Sequence, residues 1–113
     1  MQEKTIQTEI LNYLNSNGYF AWKNHLGGIR TSGRGTARNP NRGAPDIMAI
    51  RDGLFFGIEV KKSGGVIQMH QYQWLEKLRI HGGNAIIADS LESCIEGIEN
   101  SKKKVQKNDM GLH

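Results

Sequence analysis

Three charged residues in the middle of the chain have the types and the spacing of a hydrolytic site. Asp46 opens one apolar run, and Glu59 and Lys61 stand two positions apart in the next run. Residues two apart on a strand leave the same face of a sheet. Asp52-Gly53 lies between the two runs and is typical of a tight hairpin turn, which would bring Asp46 back beside the other two residues.

Such a convergence predicts a bound cation. Burying carboxylates and an ammonium group at one end of an apolar sheet is costly unless they bind something. The carboxylates of Asp46 and Glu59, with the backbone carbonyl of Val60, would make a hard oxygen site that suits Mg²⁺, with Mn²⁺ as a substitute. The alternative for each carboxylate is an ordinary surface charge at a strand end.

Hydrophobic periodicity and turn residues predict the elements that position these groups. The order is helix, three strands, helix, strand and a last helix that ends near residue 100. We therefore expect an α/β fold, α-β-β-β-α-β, with a small mixed sheet flanked by helices. Residues 27–43 show no periodicity and are interpreted as a long loop. One domain would cover residues 1–101, followed by a flexible Lys-rich tail over residues 102–113.

The long loop and its flanks carry charge of one sign. No Asp or Glu occurs from Leu11 through Pro45, although the whole chain has a formal net charge of only +4. A segment of this kind is typical of a surface that binds a polyanion such as DNA, although a solvated loop is the alternative. The residues assigned to DNA contacts are Lys23, His25, Arg30, Arg34, Arg38, Arg42 and Lys62.

Composition excludes several other classes of protein. No apolar run approaches the ~18 residues of a membrane span, and the start of the chain lacks the apolar stretch of a signal peptide. Cys94 is the single cysteine, which excludes an internal disulfide and a Cys-based zinc site. We therefore expect a cytoplasmic protein, in a bacterium or in a phage-infected host cell, without a membrane partner.

The chain carries, in order, the motifs Glu9, the Arg-rich loop, Gly43-Ala44-Pro45-Asp46, Glu59-Val60-Lys61 and Gln71-Tyr72-Gln73-Trp74. Together they resemble the VRR-NUC (virus-type replication-repair nuclease) domain of the PD-(D/E)xK nuclease superfamily, with its restriction-endonuclease-like core. Pro45-Asp46 alone, or Glu59-Val60-Lys61 alone, is a weak signal for this family. The ordered set over roughly residues 3–90 is specific. The stretch Ser63-Gly64-Gly65-Val66 departs from the family because it lacks the proline often found there.

The resemblance implies a role for each site residue. Asp46 and Glu59 would bind the metal, and Glu9 on the first helix would reach it directly or through water. Lys61 would orient the attacking water or stabilise the charged transition state. Gln71 would project from the second helix toward the same site.

The function that follows is a metal-dependent endonuclease that hydrolyses phosphodiester bonds in DNA. The small size, with no additional DNA-binding domain, favours a structure-selective enzyme that acts on branched DNA. The leading hypothesis is a homodimer that resolves four-way (Holliday) junctions in phage or DNA-repair processes. The alternatives are a flap or restriction-type endonuclease and a DNA-binding module without activity.

Overall fold

The described part of the chain forms helices around one sheet and a separate short hairpin. The computed structural model describes residues 1–24, 29–31, 35–37 and 43–109, and for 29–31, 35–37 and 105–109 only the backbone is considered. The elements are α1 (Glu3–Ser16), β1 (Phe20–Lys23), β2 (Ile29–Thr31), β3 (Gly35–Ala37), β4 (Ile47–Arg51), β5 (Leu54–Val60), α2 (Met69–Ile80), β6 (Asn84–Ala88) and α3 (Leu91–Asp109).

The main sheet has the strand order β1-β4-β5-β6. Its first three strands are antiparallel, whereas β6 returns through α2 and pairs parallel to β5. The β4–β5 turn has positive φ at both Asp52 (52°) and Gly53 (78°), as the expected two-residue hairpin requires. The prediction of an α/β fold with a small mixed sheet is confirmed.

The two faces of this sheet are covered by different helices. Apolar side chains of α1 and α3 pack on one face against the buried residues Phe56, Ile58 and Val60 of β5. The opposite face receives α2, and Gly57 permits this approach. A Cβ at Gly57 would lie 2.6 Å from Leu78 Cδ2 and 2.9 Å from Pro45 Cγ, so any larger residue would push α2 away.

Asn15 joins α1 to the outer strand of the sheet. Its Nδ2 donates to the Ala21 carbonyl at 3.2 Å, and its Oδ1 accepts from the Ala21 N–H at 3.1 Å. Both peptide groups of one β1 residue are thereby satisfied by a single carboxamide. This contact holds the end of α1 against the start of the sheet.

Two sequence expectations are corrected. The segment interpreted as a structureless loop contains β2 and β3, which pair antiparallel with Ile29 opposite Ala37. Its residues do not alternate between apolar and polar, so periodicity could not indicate these strands. The last helix does not end near residue 100 but continues to Asp109. Lys and Gln are good helix formers, and Lys102 places its ammonium over the Tyr19 ring, 5.5 Å from its centroid.

The described helices also bear on membrane association. None of them, over residues 1–24 and 43–109, is both long and apolar enough to cross a membrane.

Candidate active site

The β4–β5 hairpin places Asp46 directly beside the end of β5. The register that pairs Ile47 with Ile58 sets Asp46 opposite Glu59. Asp46 Oδ2 accepts a hydrogen bond of 2.8 Å from the N–H of Val60. The two carboxylates therefore share one row of the sheet, as the spacing of the sequence predicts.

Asn24, at the end of β1, holds the other side of Asp46. Its side-chain Nδ2 donates to the Pro45 carbonyl at 2.7 Å, and its backbone N–H donates to the Asp46 carbonyl at 2.9 Å. Sequence reasoning missed Asn24, because nothing in a lone Asn after a strand shows which loop it will contact. Its position two residues after the first strand predicted from the sequence, Tyr19 to Trp22, was the only available signal.

Glu59 is the buried member of the pair. It is 1% exposed, and its Oε2 atom has no hydrogen-bond partner among the described residues. Loss of hydration, together with the hydrogen bond to Asp46 and the negative charge of Asp46, raises the pKa of this carboxyl to about 9, although the Lys61 ammonium partly opposes the shift. A buried carboxyl of this kind stays protonated at neutral pH unless a positive charge joins it.

A divalent cation would supply that charge. The unpartnered oxygen of Glu59 and the carboxylate of Asp46 are hard oxygen donors of the kind that Mg²⁺ prefers. The N–H and C=O of one strand residue point to the same side of the strand, so the Val60 carbonyl, like its N–H, faces Asp46. The donor set at this end of β5 therefore fits the predicted metal.

Lys61 follows on the same face of the sheet as Glu59. Its backbone N–H donates to the Ala88 carbonyl at 2.9 Å, which extends the pairing of β5 with β6 by one residue and fixes the main chain there. The side chain is partly buried and lines a cleft of about 290 Å³, together with Gly65, Asp89 and Ser93. Lys61 can thus reach a bound anion from a rigid strand end.

The glutamate of α1 that reaches this end of the sheet is Glu3, whereas Glu9, to which the resemblance gives this role, lies further along the helix. Glu3 Oε2 accepts a hydrogen bond of 3.2 Å from the Lys62 N–H, and the charge of Glu3 contributes to the raised pKa of Glu59. Glu9 is exposed and lies six residues along the helix, a rise of about 9 Å.

The phase of the helix could have identified Glu3. At about 100° per residue, Glu3 lies near the centre of the buried stripe formed by Ile6, Ile10 and Leu14, whereas Glu9 lies about 100° away from that centre. Even so, no cluster of three or more His, Cys, Asp or Glu side chains close enough to hold a metal occurs within the described residues. The acidic pair, rather than a larger cluster, is the centre of the site.

Gln71 has a structural contact at the start of α2. Its Oε1 accepts from the Gln68 N–H at 2.9 Å, and the side chain of Gln68 accepts from the Gln71 backbone in return. This capping box starts α2. The described contact of Gln71 is thus the helix cap, and its expected projection toward the two carboxylates stays a prediction.

The expected DNA-contacting residues are described only in part. Lys23 is exposed at the end of β1, where its Cα pairs with that of Ile47, next to Asp46. Lys62 is exposed beside Lys61. Arg30 lies on β2, where only the backbone is considered. The remaining four residues, His25, Arg34, Arg38 and Arg42, lie outside the described residues.

Comparison with solved structures bears on the fold. A structure described as a VRR_NUC domain matches with a TM-score of 0.63 and 23% sequence identity, covering 86% of this chain and 94% of its own. The fold is that of a VRR_NUC domain. The sequence matches no protein-family model and no curated protein.

The shared VRR_NUC fold agrees with the architecture expected from the sequence motifs. The similarity extends over most of both chains, so it includes the sheet rather than a single hairpin.

Proposed function

We propose that this protein is a VRR-NUC nuclease of the PD-(D/E)xK superfamily that hydrolyses phosphodiester bonds in DNA and depends on a divalent metal. The observation that carries this proposal is the buried Glu59 carboxyl, whose Oε2 lacks a partner while Asp46 lies in the same row of the sheet. A purely structural pair would be expected to satisfy both carboxyls within the protein. The shared fold supports the same conclusion.

Each group has a distinct role in the proposed reaction. Asp46, Glu59 and the Val60 carbonyl would hold Mg²⁺ or Mn²⁺, and Glu3 would contribute negative charge close to them. A divalent cation, when bound, activates water at neutral pH and offsets the negative charge of the phosphate. Lys61 would donate hydrogen bonds to a phosphate oxygen as charge develops there.

The protein's own scaffold would prepare these groups before DNA arrives. The Val60 N–H and the Asn24 contacts with Pro45 and Asp46 fix the Asp46 carboxylate and its main chain on both sides. Glu59 is immobilised by burial. Such preorganisation is how a site stabilises a transition state without rearranging during the reaction.

The proposed substrate is branched DNA, with a homodimer that resolves four-way junctions as the leading form. A junction has two-fold symmetry and needs two symmetric cuts, whereas one chain has one Asp46–Glu59–Lys61 site. Two-fold dimers are the commonest closed assemblies and would supply both cuts. A flap or restriction-type endonuclease is the alternative within the same chemistry, and a module without activity is the alternative outside it.

Cleavage of defined DNA substrates tests the proposal. The protein is incubated with linear, flap and four-way-junction DNA in Mg²⁺, in Mn²⁺ and in a chelator. We expect metal-dependent cleavage, fastest on the junction, with none for Asp46→Ala or Glu59→Ala, although both variants should still bind DNA.

Lys61→Ala and Lys62→Ala form a matched pair in the same assay. Losing one preorganised transition-state group should slow cleavage by about 10²-fold in Lys61→Ala, and the exposed neighbour should have only a small effect. Near-normal activity in Asp46→Ala would show that the active site is elsewhere. Cleavage of flaps alone would favour the alternative endonuclease.

A further inference from the structure

A partly exposed aromatic surface lies on the β1 side of the sheet. It consists of Phe20 and Trp22 on β1 and Phe55 on β5. The Phe20 ring is 68% exposed, and its centroid lies 5.0 Å from that of Trp22, whose ring in turn contacts Phe55 edge-on at 6.4 Å. Large aromatic side chains are normally buried, so a cluster that keeps one ring in solvent indicates a binding surface.

This surface shares a sheet face with the proposed catalytic groups. The register places Trp22 opposite Met48 and Phe20 opposite Ile50. Asp46, two and four residues before these partners on β4, therefore has its side chain on the same face. At about 3.3 Å per residue, the Trp22 row lies about 7 Å and the Phe20 row about 13 Å from the Asp46–Glu59 row.

Helix α2 leaves this part of the face open. Leu78 of α2 packs over Gly57 and Gly83, on the β5–β6 side of the sheet. The β1 rings therefore keep access to solvent although the sheet face carries a helix. A flat ligand can approach the Phe20 ring without displacing any described element.

Charge and spacing favour DNA as the ligand. Lys23 is exposed at the end of β1, one residue after Trp22, and no acidic residue occurs in the sequence from Leu11 through Pro45, so the segment that contains β1 carries no negative charge. Bases of an unpaired strand stack on aromatic side chains while nearby cations bind the phosphates. Successive nucleotides of one strand advance by about 3.4 Å along the helix axis when the bases are stacked and by more when the strand is extended.

We propose that Phe20 and Trp22 form a stacking platform for an unpaired base of the DNA substrate, one to four nucleotides from the cleaved bond. The inference rests on the proposed nuclease function and specifies its substrate. The platform selects DNA in which bases near the cut are free, as at a branch point, because paired bases cannot leave the helix without losing their own stacking and pairing. A fully paired duplex would gain little from these rings.

Binding measurements with substitutions at Phe20 test the platform. Fluorescence anisotropy in a chelator compares wild type with Phe20→Ala, Phe20→Leu and Phe20→Tyr, on a fully paired duplex and on a duplex with an unpaired branch. We expect Ala and Leu to weaken binding of the branched DNA by about 10-fold, with binding of the paired duplex unchanged within about twofold. Tyr should bind like wild type because it keeps the ring. Ile80→Ala, at a 77% exposed apolar residue of α2, is the matched control and should bind both DNAs like wild type.

The other outcomes each overturn the platform. If Phe20→Leu binds branched DNA like wild type, the ring itself is not used. If Phe20→Ala halves the molecular mass seen by light scattering, the surface is an interface between two copies. Equal binding of branched DNA by wild type and Phe20→Ala overturns the platform but leaves the nuclease proposal intact, whereas wild type that neither binds nor cuts any DNA overturns both.

Discussion

A buried carboxylate needs a nearby positive charge within the protein. For Glu59, the Lys61 ammonium supplies only part of this stabilisation. Lys61 favours the ionised form, but burial and the neighbouring Asp46 favour the protonated form more strongly, which raises the pKa of Glu59 to about 9. At neutral pH the metal-free site therefore holds a proton that a divalent cation has to displace. Protein stability, as well as activity, should report this exchange.

Stability in a chelator should depend on pH through Glu59. Its folded pKa of about 9 lies above the ordinary value of 4.5, so the folded state holds the proton more tightly than the unfolded chain. The contribution of this proton to the free energy of unfolding is fully present below pH 4.5 and is lost as the pH rises toward 9. Wild type should melt several degrees lower at pH 8.5 than at pH 5.5, and Glu59→Gln should narrow that difference. An unchanged difference in the variant would show that Glu59 does not carry the effect.

Glu3 and Glu9 provide a matched pair on one helix. Glu3→Gln removes a charge that acts on Glu59, so the affinity for Mg²⁺ should fall by about 10-fold, the scale expected when a group supporting a metal site is lost. Glu9→Gln removes the same charge from an exposed position and should change the affinity by less than about twofold. Titration calorimetry measures both, and equal effects would argue against a role for Glu3 in the site.

At the scale of the elements, strand order and turn chemistry bring the site together. The ends of β1 and β5 and the start of β4 meet at one end of the sheet, so residues distant in sequence lie in one row across the strands. The Asp52-Gly53 hairpin was predictable because its turn residues have a specific conformational preference. This is why Asp46, Glu59 and Lys61 could be placed together from sequence.

Other elements could not be predicted, for physical reasons. The β2–β3 hairpin has too few alternating apolar residues to show a period of two. The choice between Glu3 and Glu9 depends on how α1 is rotated against the sheet, which its apolar stripe indicates only when the phase of each glutamate is followed. Asn24 acts through a contact with Pro45, 21 positions away in the chain, and no local pattern reports such a pair.

Asn24 should support the site without touching substrate. Asn24→Ala removes the 2.7 Å bond from Nδ2 to the Pro45 carbonyl and loosens the peptide before Asp46. We expect about a 10-fold loss of Mg²⁺ affinity, which the partners of metal ligands typically contribute. Asn17 makes a bond of the same kind and length, from Nδ2 to the Tyr13 carbonyl at 2.7 Å, at the other end of β1. Asn17→Ala should therefore leave metal affinity unchanged, and a similar loss in both variants would indicate general destabilisation.

At the scale of the whole molecule, the proposed chemistry occupies one end of the sheet and the β4–β5 hairpin the other. The start of α1, the end of β5 and the cleft beside Lys61 all lie at the first end. A homodimer with two cutting sites must therefore hold two such ends at a separation that suits the two strands of a junction. Which surface joins the copies determines that separation.

The carboxamide of Asn15 limits which surface can join two copies of the chain. The Asn24 N–H donates to the Asp46 carbonyl, so the peptide groups of Asn24 point toward β4. Neighbouring residues of a strand point their peptide groups to opposite sides, so the Ala21 N–H and C=O, three residues earlier, point away from the sheet. Those are the groups that an incoming strand would need, and Asn15 already occupies both. β1 is the last strand on its side of the described sheet, yet its middle residue is closed to strand addition.

Substitution of Asn15 should expose the outer edge of β1 to strand addition. In Asn15→Ala the Ala21 peptide groups become free, and we expect association that grows with protein concentration, measured by light scattering. Asn15→Asp keeps the acceptor for the Ala21 N–H and adds a charge that repels a second edge, so it should not self-associate further. If Asn15→Ala keeps the wild-type mass at every concentration, the amide is not what protects the edge. With this edge closed, two copies cannot merge their sheets into one continuous layer through β1, and each active site keeps an independent scaffold.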